Sequence, residues 1–493
     1  MIIFRALIPR VVFLMTLLAG VISACQPQKE STLLLELTPG TPTPAAWLPT
    51  PMPTRPLYEP GELVDYIAQP GDTLPAVAAH FNTTEAEIRE ANPVLPKRVT
   101  TLPNGLPMQI PIYYQSLWGS PFQILPDNLF VNGPSDVGFD TREFINQQPG
   151  WLKNHREYAG GRWRTGAEFV DNIATKFSIS PRLLLAILEF QAGALSDPNG
   201  PPGGNYPLGY EDMYHKGLNN QFVWAANTLN NGFYGWRTGN LRQFTRMDGT
   251  LEVPDPWQNA ATVGLHFYLS QVLDHDTYLR AISSEGLQKT YTSLFGDPWE
   301  AFSATIPGSL EQPPLRLPFS EGSSWTFTGG PHTGWGTGEP LSALDFAPPN
   351  VLKGCQESEE WSTAVADGVV SRSEPAIVVL DLDGDGDERT GWNIFYLHVA
   401  SSDQQFAGAR LKTGDPVGRP SCEGGDATGS HVHIARKYNG EWIPAGGALP
   451  FDLEGWIAQA SDVPYEGSLQ KQEKVVTACV CSNIESRITA GIR

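Results

Sequence analysis

Positive charge is scarce in this chain: 33 Lys and Arg stand against 53 Asp and Glu over 493 residues, a formal net charge of −20. A surface that binds phosphate backbones needs clustered basic side chains, so nucleic acid is excluded as a partner. Long apolar runs are missing too. Beyond the first 25 residues no window offers the roughly 18 uninterrupted apolar residues of a bilayer-spanning helix. The length allows about three domains, hence several cores.

The N-terminus differs from everything after it. "MIIFRALIPRVVFLMTLLAGVISAC" sets Arg5 and Arg10 before an apolar run and small residues before Cys25, the layout of an export signal. Ile22-Ser23-Ala24-Cys25 resembles the bacterial lipoprotein lipobox, which implies cleavage before Cys25 and lipidation of its thiol. The alternatives are an ordinary secretory signal, with Cys25 incidental, or an uncleaved N-terminal helix. Either exported form works outside the cytoplasm. There, Cys355, Cys422, Cys479 and Cys481 make an even number in an oxidising compartment. Cys355 with Cys422 is the preferred bridge, because both flank the histidine-bearing region. Cys479 and Cys481 are too close in sequence to bridge comfortably.

Residues 26–61 are rich in Pro and Thr, a semi-extended tether without a core. Residues 62–115 then hold "YIAQPGDTLPAVAAHFNTTEAEIREANP" and "LPNGLPMQIP". A strand ends at Gly71, Asp72 or Thr73 can cap a helix, and Thr84 with Glu87 forms a capping box for a second. This stretch resembles the LysM module along its whole length. The resemblance implies a βααβ fold that binds N-acetylglucosamine-containing glycan through Gly71, Asp72, Thr73, Asn92 and Pro93.

Residues 118–305 read as helical and aromatic-rich. "GAEFVDNIATKF" puts Phe169, Val170, Ile173, Ala174 and Phe177 on one stripe, and Ser180 with Pro181 opens a nearly all-apolar helix. "SPRLLLAILEFQAG" resembles the first catalytic helix of lysozyme-like lytic transglycosylases, with Gln191 where that family has its acid. An amide does not titrate, so the region is expected to be a non-catalytic relative. Glu189 is turned about 200° from the Gln191 face and caps a polar edge instead. Trp224, Phe233, Tyr234 and Trp236 are assigned to core packing rather than to sugar stacking. His215, His266 and His275 show no ligand spacing, and cleavage of glycan through another acid, such as Glu211, is the remaining alternative.

From about residue 313 the text turns to Gly, Val, Thr and short alternating runs, an antiparallel β domain over 313–465 with a tail at 466–493. In "GSHVHIARKY", His431 and His433 fall two apart on a strand and share one face, so both imidazoles can reach one point. "GGPHTGWGTGEPLSALDFAPP", "ADGVV", "YLHV", "LKTGDPVG" and "GSHVH" together resemble the lysostaphin-type zinc metallopeptidases. The resemblance implies that His332, Asp345 and His433 bind one Zn2+, while His398 and His431 act on substrate, one handling the water proton and the other the oxyanion or leaving amine. Two His and one carboxylate leave a tetrahedral position open, as in a catalytic zinc site. The spacing departs from the family, in which the first His stands four residues before the Asp. Here thirteen separate His332 from Asp345, so "HTGWGTGEPLSA" must loop out, as its glycines allow. "DLDGDGDERTGW" sets Asp381, Asp383 and Asp385 as in the opening of a calcium loop, but Trp392 stands where the bidentate Glu belongs. Ca2+ or a polar hairpin tip are the two readings.

The whole is expected to be a multidomain α+β protein: a LysM module, a mainly α lysozyme-like domain and an antiparallel β metallopeptidase domain. Its expected place is outside the cytoplasm, lipid-anchored to the membrane and associated with the cell wall. Its expected work is hydrolysis of peptide bonds in peptidoglycan, against the alternative of a catalytically silent wall-binding scaffold or an activator of another hydrolase.

Overall fold

The computed structural model describes residues 56–115, 118–201, 204–349, 354–356, 358–480 and 483–492. The export signal, Cys25, most of the tether and Cys481 lie outside the described residues.

The first segment is βααβ: strand Glu62–Ile67, helices Leu74–His80 and Glu85–Ala91, and strand Pro107–Ile112, which pairs antiparallel with the first. Thr73 caps the first helix by accepting the Ala76 N–H, and Thr84 and Glu87 form a reciprocal capping box on the second. Phe81, Ile88 and Val77 close the small core.

The middle segment packs four principal helices: Gly166–Phe177, Pro181–Ala192, Leu218–Thr238 and Ala260–Leu269. The Phe169, Val170, Ile173, Ala174 and Phe177 stripe faces inward. Phe233, Tyr234 and Trp236 are buried in the same core. The helix from Leu218 to Thr238 meets both neighbouring segments, its Arg237 reaching Pro70 O on one side and Glu441 on the other.

The last segment carries a nine-stranded antiparallel sheet. Its central order runs Gly368–Glu374, Ile377–Asp381, Trp392–Leu397, Val432–Tyr438, Leu341–Ala347, Ser324–Thr333. The period-two alternation buries both faces of this sheet. Val432, Ile434, Leu344 and Phe346 join a β-sandwich core with Trp456 and Leu469 of a smaller four-stranded sheet. Ala435, Ala343, Phe395, Leu397 and Trp442 pack on the helical core instead. Residues after 465, read from sequence as a tail, are structural: Gly467–Lys471 and Lys474–Thr477 are strands of the small sheet, and Arg487–Thr489 pairs with the edge of the large one.

A buried ionic cluster supports the sheet. Glu388 accepts from Arg372 and, at 3.3 Å, from Lys437 Nζ. Burial opposes the Glu388 charge, yet Lys437 and Arg372 hold its pKa down to about 2. The unfolded carboxyl titrates near the usual ~4.3, so the unfolded state binds the extra proton between those values. The stabilisation is therefore complete above about pH 4.3 and lost as pH falls toward 2. Glu388→Gln is expected to flatten the acid limb of a urea-midpoint-against-pH curve in this window, and an unchanged acid limb would remove Glu388 from the account.

Candidate metal centre

Strand pairing assembles the centre. His433 lies directly opposite Asp345 on the neighbouring strand, and a hairpin brings His332 opposite Ala343. The loop of that hairpin, residues 334–340, absorbs the long interval between His332 and Asp345. His332 Nε2 is 3.0 Å from His433 Nδ1, and Asp345 Oδ1 is 3.3 Å from the first atom and 3.2 Å from the second. All three side chains are buried.

Backbone carbonyls hold the outer nitrogens. His332 Nδ1 donates to Gly330 O at 2.7 Å, and His433 Nε2 donates to Gly334 O at 3.0 Å. A carbonyl only accepts, so each outer nitrogen carries the hydrogen and each inner nitrogen of a neutral ring presents a lone pair. Two lone pairs and a carboxylate oxygen thus face one another, and Asp345 Oδ1 has no hydrogen bond despite its burial. Three acceptors at this range repel unless a cation lies among them. Tetrahedral zinc with bonds of about 2.0–2.1 Å sets its ligand atoms about 3.3 Å apart. The residues therefore fit a divalent ion of this kind. Burial disfavours the Asp345 charge, but positive charge on the neighbouring His332 and His431 rings holds its carboxyl well below the usual carboxylate range in the metal-free centre.

Two further imidazoles stand beside this trio. His431 donates Nδ1–H to Gly429 O at 2.8 Å and places Nε2 3.7 Å from Asp345 Oδ1. His398 follows the Trp392–Leu397 strand in left-handed backbone, φ +62°, and donates Nδ1–H to Glu423 O at 2.7 Å. Its ring centroid is 4.5 Å from that of His431. Burial, with the His431 and His433 rings, lowers its pKa to about 4, so Nε2 keeps a free lone pair at neutral pH. All five residues named from the sequence therefore converge.

Sequence reasoning missed Tyr465. It packs flat on His332 with centroids 4.1 Å apart, itself at φ +70° and half exposed. It comes from the connection between two strands of the small sheet and belongs to no repeating pattern, so no sequence signal pointed to it. The disulfide Cys355–Cys422 is present and ties the segment around Gln356 to the approach of the His431 turn. Cys479 is also disulfide-bonded.

Other candidates fall elsewhere. Gly71 abuts the Arg237 guanidinium of the long helix. Asp72 is buried, accepting from Tyr66 Oη at 2.6 Å and Gln69 N at 2.7 Å, and burial pushes its pKa up to about 6. Asn92 is pinned by Ile88 O and by both backbone groups of Gln109. Of the five residues assigned to glycan, Pro93 alone is exposed, and Thr73 is half-buried. Gln191 accepts from Tyr268 Oη and donates to Leu208 O, while Glu189 caps Leu195 N and Ser196 N. Glu211 is exposed. Asp381, Asp383 and Asp385 lie close together, but their carboxylates accept from the backbone N–H groups of Asp383, Gly386, Asp385 and Asp387. The loop is a hairpin tip closed on its own amides, and calcium has no support.

Comparison with known proteins agrees with this anatomy. Residues 66–98 match the LysM domain model, and residues 123–309 match the model described as LasA, N-terminal domain. Protease LasA of Pseudomonas aeruginosa is 25% identical over 341 residues, 66% of this chain and 76% of that protein. The chain is thus similar to LasA, and to the LysM domain over residues 66–98. Beta-lytic metalloendopeptidase of Lysobacter enzymogenes is 28% identical over 161 residues, 31% of this chain and 83% of its own. Among solved structures, the deep-sea M23 metalloprotease pseudoalterin aligns at 23% identity and TM-score 0.30, over 34% of this chain and 96% of its own. The match of the helical region is to the LasA model, so its likeness to lysozyme stays an expectation from one helix. No helix among the described residues of this LasA-like chain is long and apolar enough to cross a membrane.

Proposed function

We propose that this protein is a zinc-dependent endopeptidase that hydrolyses peptide bonds of peptidoglycan outside the cytoplasm. The carrying observation is the convergence of His332 Nε2, His433 Nδ1 and Asp345 Oδ1 at 3.0–3.3 Å, each ring locked by a carbonyl on its far side. Zinc, when held by these three residues, supplies a Lewis acid that polarises a carbonyl and makes water acidic near neutral pH. The chain supplies the rest. His398 and His431 each spend Nδ1–H on a backbone carbonyl, so at Nε2 one ring, neutral, would take a proton from the attacking water, and the other, while it carries a proton there, would hydrogen-bond the oxygen that gains charge or protonate the departing amine. The LysM match supports retention on wall glycan, which raises the substrate concentration around a site that binds short peptides weakly. Lipidation at Cys25 is the anchor we assign to the export signal. The helical region is given no cleavage chemistry, since Gln191 is an amide spent on Tyr268 and Leu208.

The test is a muropeptide digest. Purified protein on isolated sacculi is expected to release peptide-cleaved products, lose that activity in chelator and regain it with zinc. Intact muropeptides from zinc-loaded protein that still binds sacculi would leave only a wall-binding scaffold, and anhydro-sugar products would mean glycan cleavage instead. His398→Ala is expected to lower kcat about 10²-fold while zinc stays stoichiometric. Zinc loss in that variant would make His398 a ligand rather than a proton carrier.

A further inference from the structure

The hairpin loop that lengthens the His332 to Asp345 interval does not hang free. Its sequence, Gly334-Trp335-Gly336-Thr337-Gly338-Glu339-Pro340, has three glycines and little of its own to hold a shape. The loop lies along the helix Leu218–Thr238, and two asparagines one turn apart meet it there. Asn227 Oδ1 accepts the Thr337 N–H at 2.7 Å, and Asn231 Oδ1 accepts the Glu339 N–H at 2.7 Å. Gly336 and Gly338, at φ +88° and +89°, lie so close to these amides that any β-carbon would collide with them. Asn227 is itself fixed by donating Nδ2–H to Val223 O at 3.0 Å. Asn240 adds a third tie, donating to Glu339 Oε1 at 2.9 Å. At its near end the same loop offers Gly334 O to His433 Nε2.

We infer that Asn227 and Asn231 are positioning residues of the metal centre: by accepting two N–H groups of the 334–340 loop, they hold the Gly334 carbonyl where it fixes the tautomer and aim of His433. The inference rests on the reading of His332, Asp345 and His433 as a zinc site. It makes the helical region a working part of that site, although none of its residues touches the ion. The two amide oxygens, 101 or more positions before the nearest ligand in the chain, replace the rigidity that a short interval between His and Asp would give.

Asn231 gives the cleaner test, because its Oδ1 can be kept while the amide is changed. Asn231→Ala, and more strongly Asn227→Ala with Asn231→Ala, is expected to weaken zinc binding about tenfold in competition with a chromogenic chelator, within the usual range for partners behind a ligand. Asn231→Asp retains the accepting oxygen and is expected to bind zinc within about threefold of the parent. Urea midpoints of the metal-free proteins separate this from a general loss of folding. Alanine variants that bind zinc like the parent overturn the inference, as does an Asp variant as weak as Ala. A parent protein that binds no zinc would instead defeat the zinc reading itself, before the asparagines come into question.

Discussion

Asp345→Ala is expected to abolish zinc retention and peptide cleavage in a single step. Asp345 is the one anionic member of the trio, and its Oδ1 lies within 3.3 Å of both inner imidazole nitrogens. Removing it leaves two neutral rings, too few donors for tetrahedral zinc and no charge to offset the cation. The lost Lewis acid is worth several kcal/mol of transition-state stabilisation, so cleavage should fall by about 10³-fold or more. The fold should survive, because the strand pairing of His433 with residue 345 is made by backbone. Metal analysis after dialysis, alongside a muropeptide digest, reads both effects. An alanine variant that keeps one zinc per chain and still cleaves would show that the hydrolytic site lies elsewhere.

The second large effect is expected outside the centre, at Arg237. Its guanidinium is buried and reaches three parts of the protein: Pro70 O of the βααβ module at 2.7 Å, Asp127 Oδ2 of the helical region at 3.2 Å, and both carboxylate oxygens of Glu441 in the β domain at 2.8 and 3.1 Å. Glu441 is buried, and burial raises its pKa even with Arg237 beside it. Arg237→Ala strands two carboxylates in the interior, a change that costs about 3–5 kcal/mol. Its pH dependence has a definite sign. Without the cation, Glu441 is driven further upward, so the folded state holds the proton that the unfolded state releases above about pH 4.3. Stability of the variant should therefore decline as pH rises, and the deficit against the parent should be smaller at pH 5 than at pH 7. Arg237→Lys should recover only part of the loss, because one ammonium cannot serve the carbonyl and both carboxylates together. A cost below about 1 kcal/mol for the alanine variant in urea unfolding would mean the guanidinium is incidental.

Sequence patterns were informative where chemistry is local. The alternation of His431, Val432, His433 and Ile434 sorts side chains between two faces whatever lies beyond, and Thr73, Thr84 and Glu87 act within one helical turn. The glycines of 334–338 advertised a loop, and the loop is there. What could not be read is what tertiary packing adds. Gly71 and Asp72 carry the LysM pattern in a turn that Arg237 covers, and a periodicity says nothing about which neighbour sits on a face. Tyr465 and the asparagine pair reach the centre only through contacts between segments far apart in the chain. Residues 466–493 looked like a tail because their strands are short: Gly467–Lys471 and Lys474–Thr477 pair with near neighbours in the chain, while Arg487–Thr489 finds its partner far back at Ser324–Thr326.

Because Ala343, Phe395, Ala435 and Trp442 press their side of the large sheet into the helical core, the C-terminal portion has no finished exterior of its own there. Cut away at residue 313, it would carry an oily wall into water, and two such fragments would sooner clasp each other than remain apart. The β portion and its helical companion thus share one buried wall, and trimming this chain to its β portion is expected to need polar side chains painted onto that wall first.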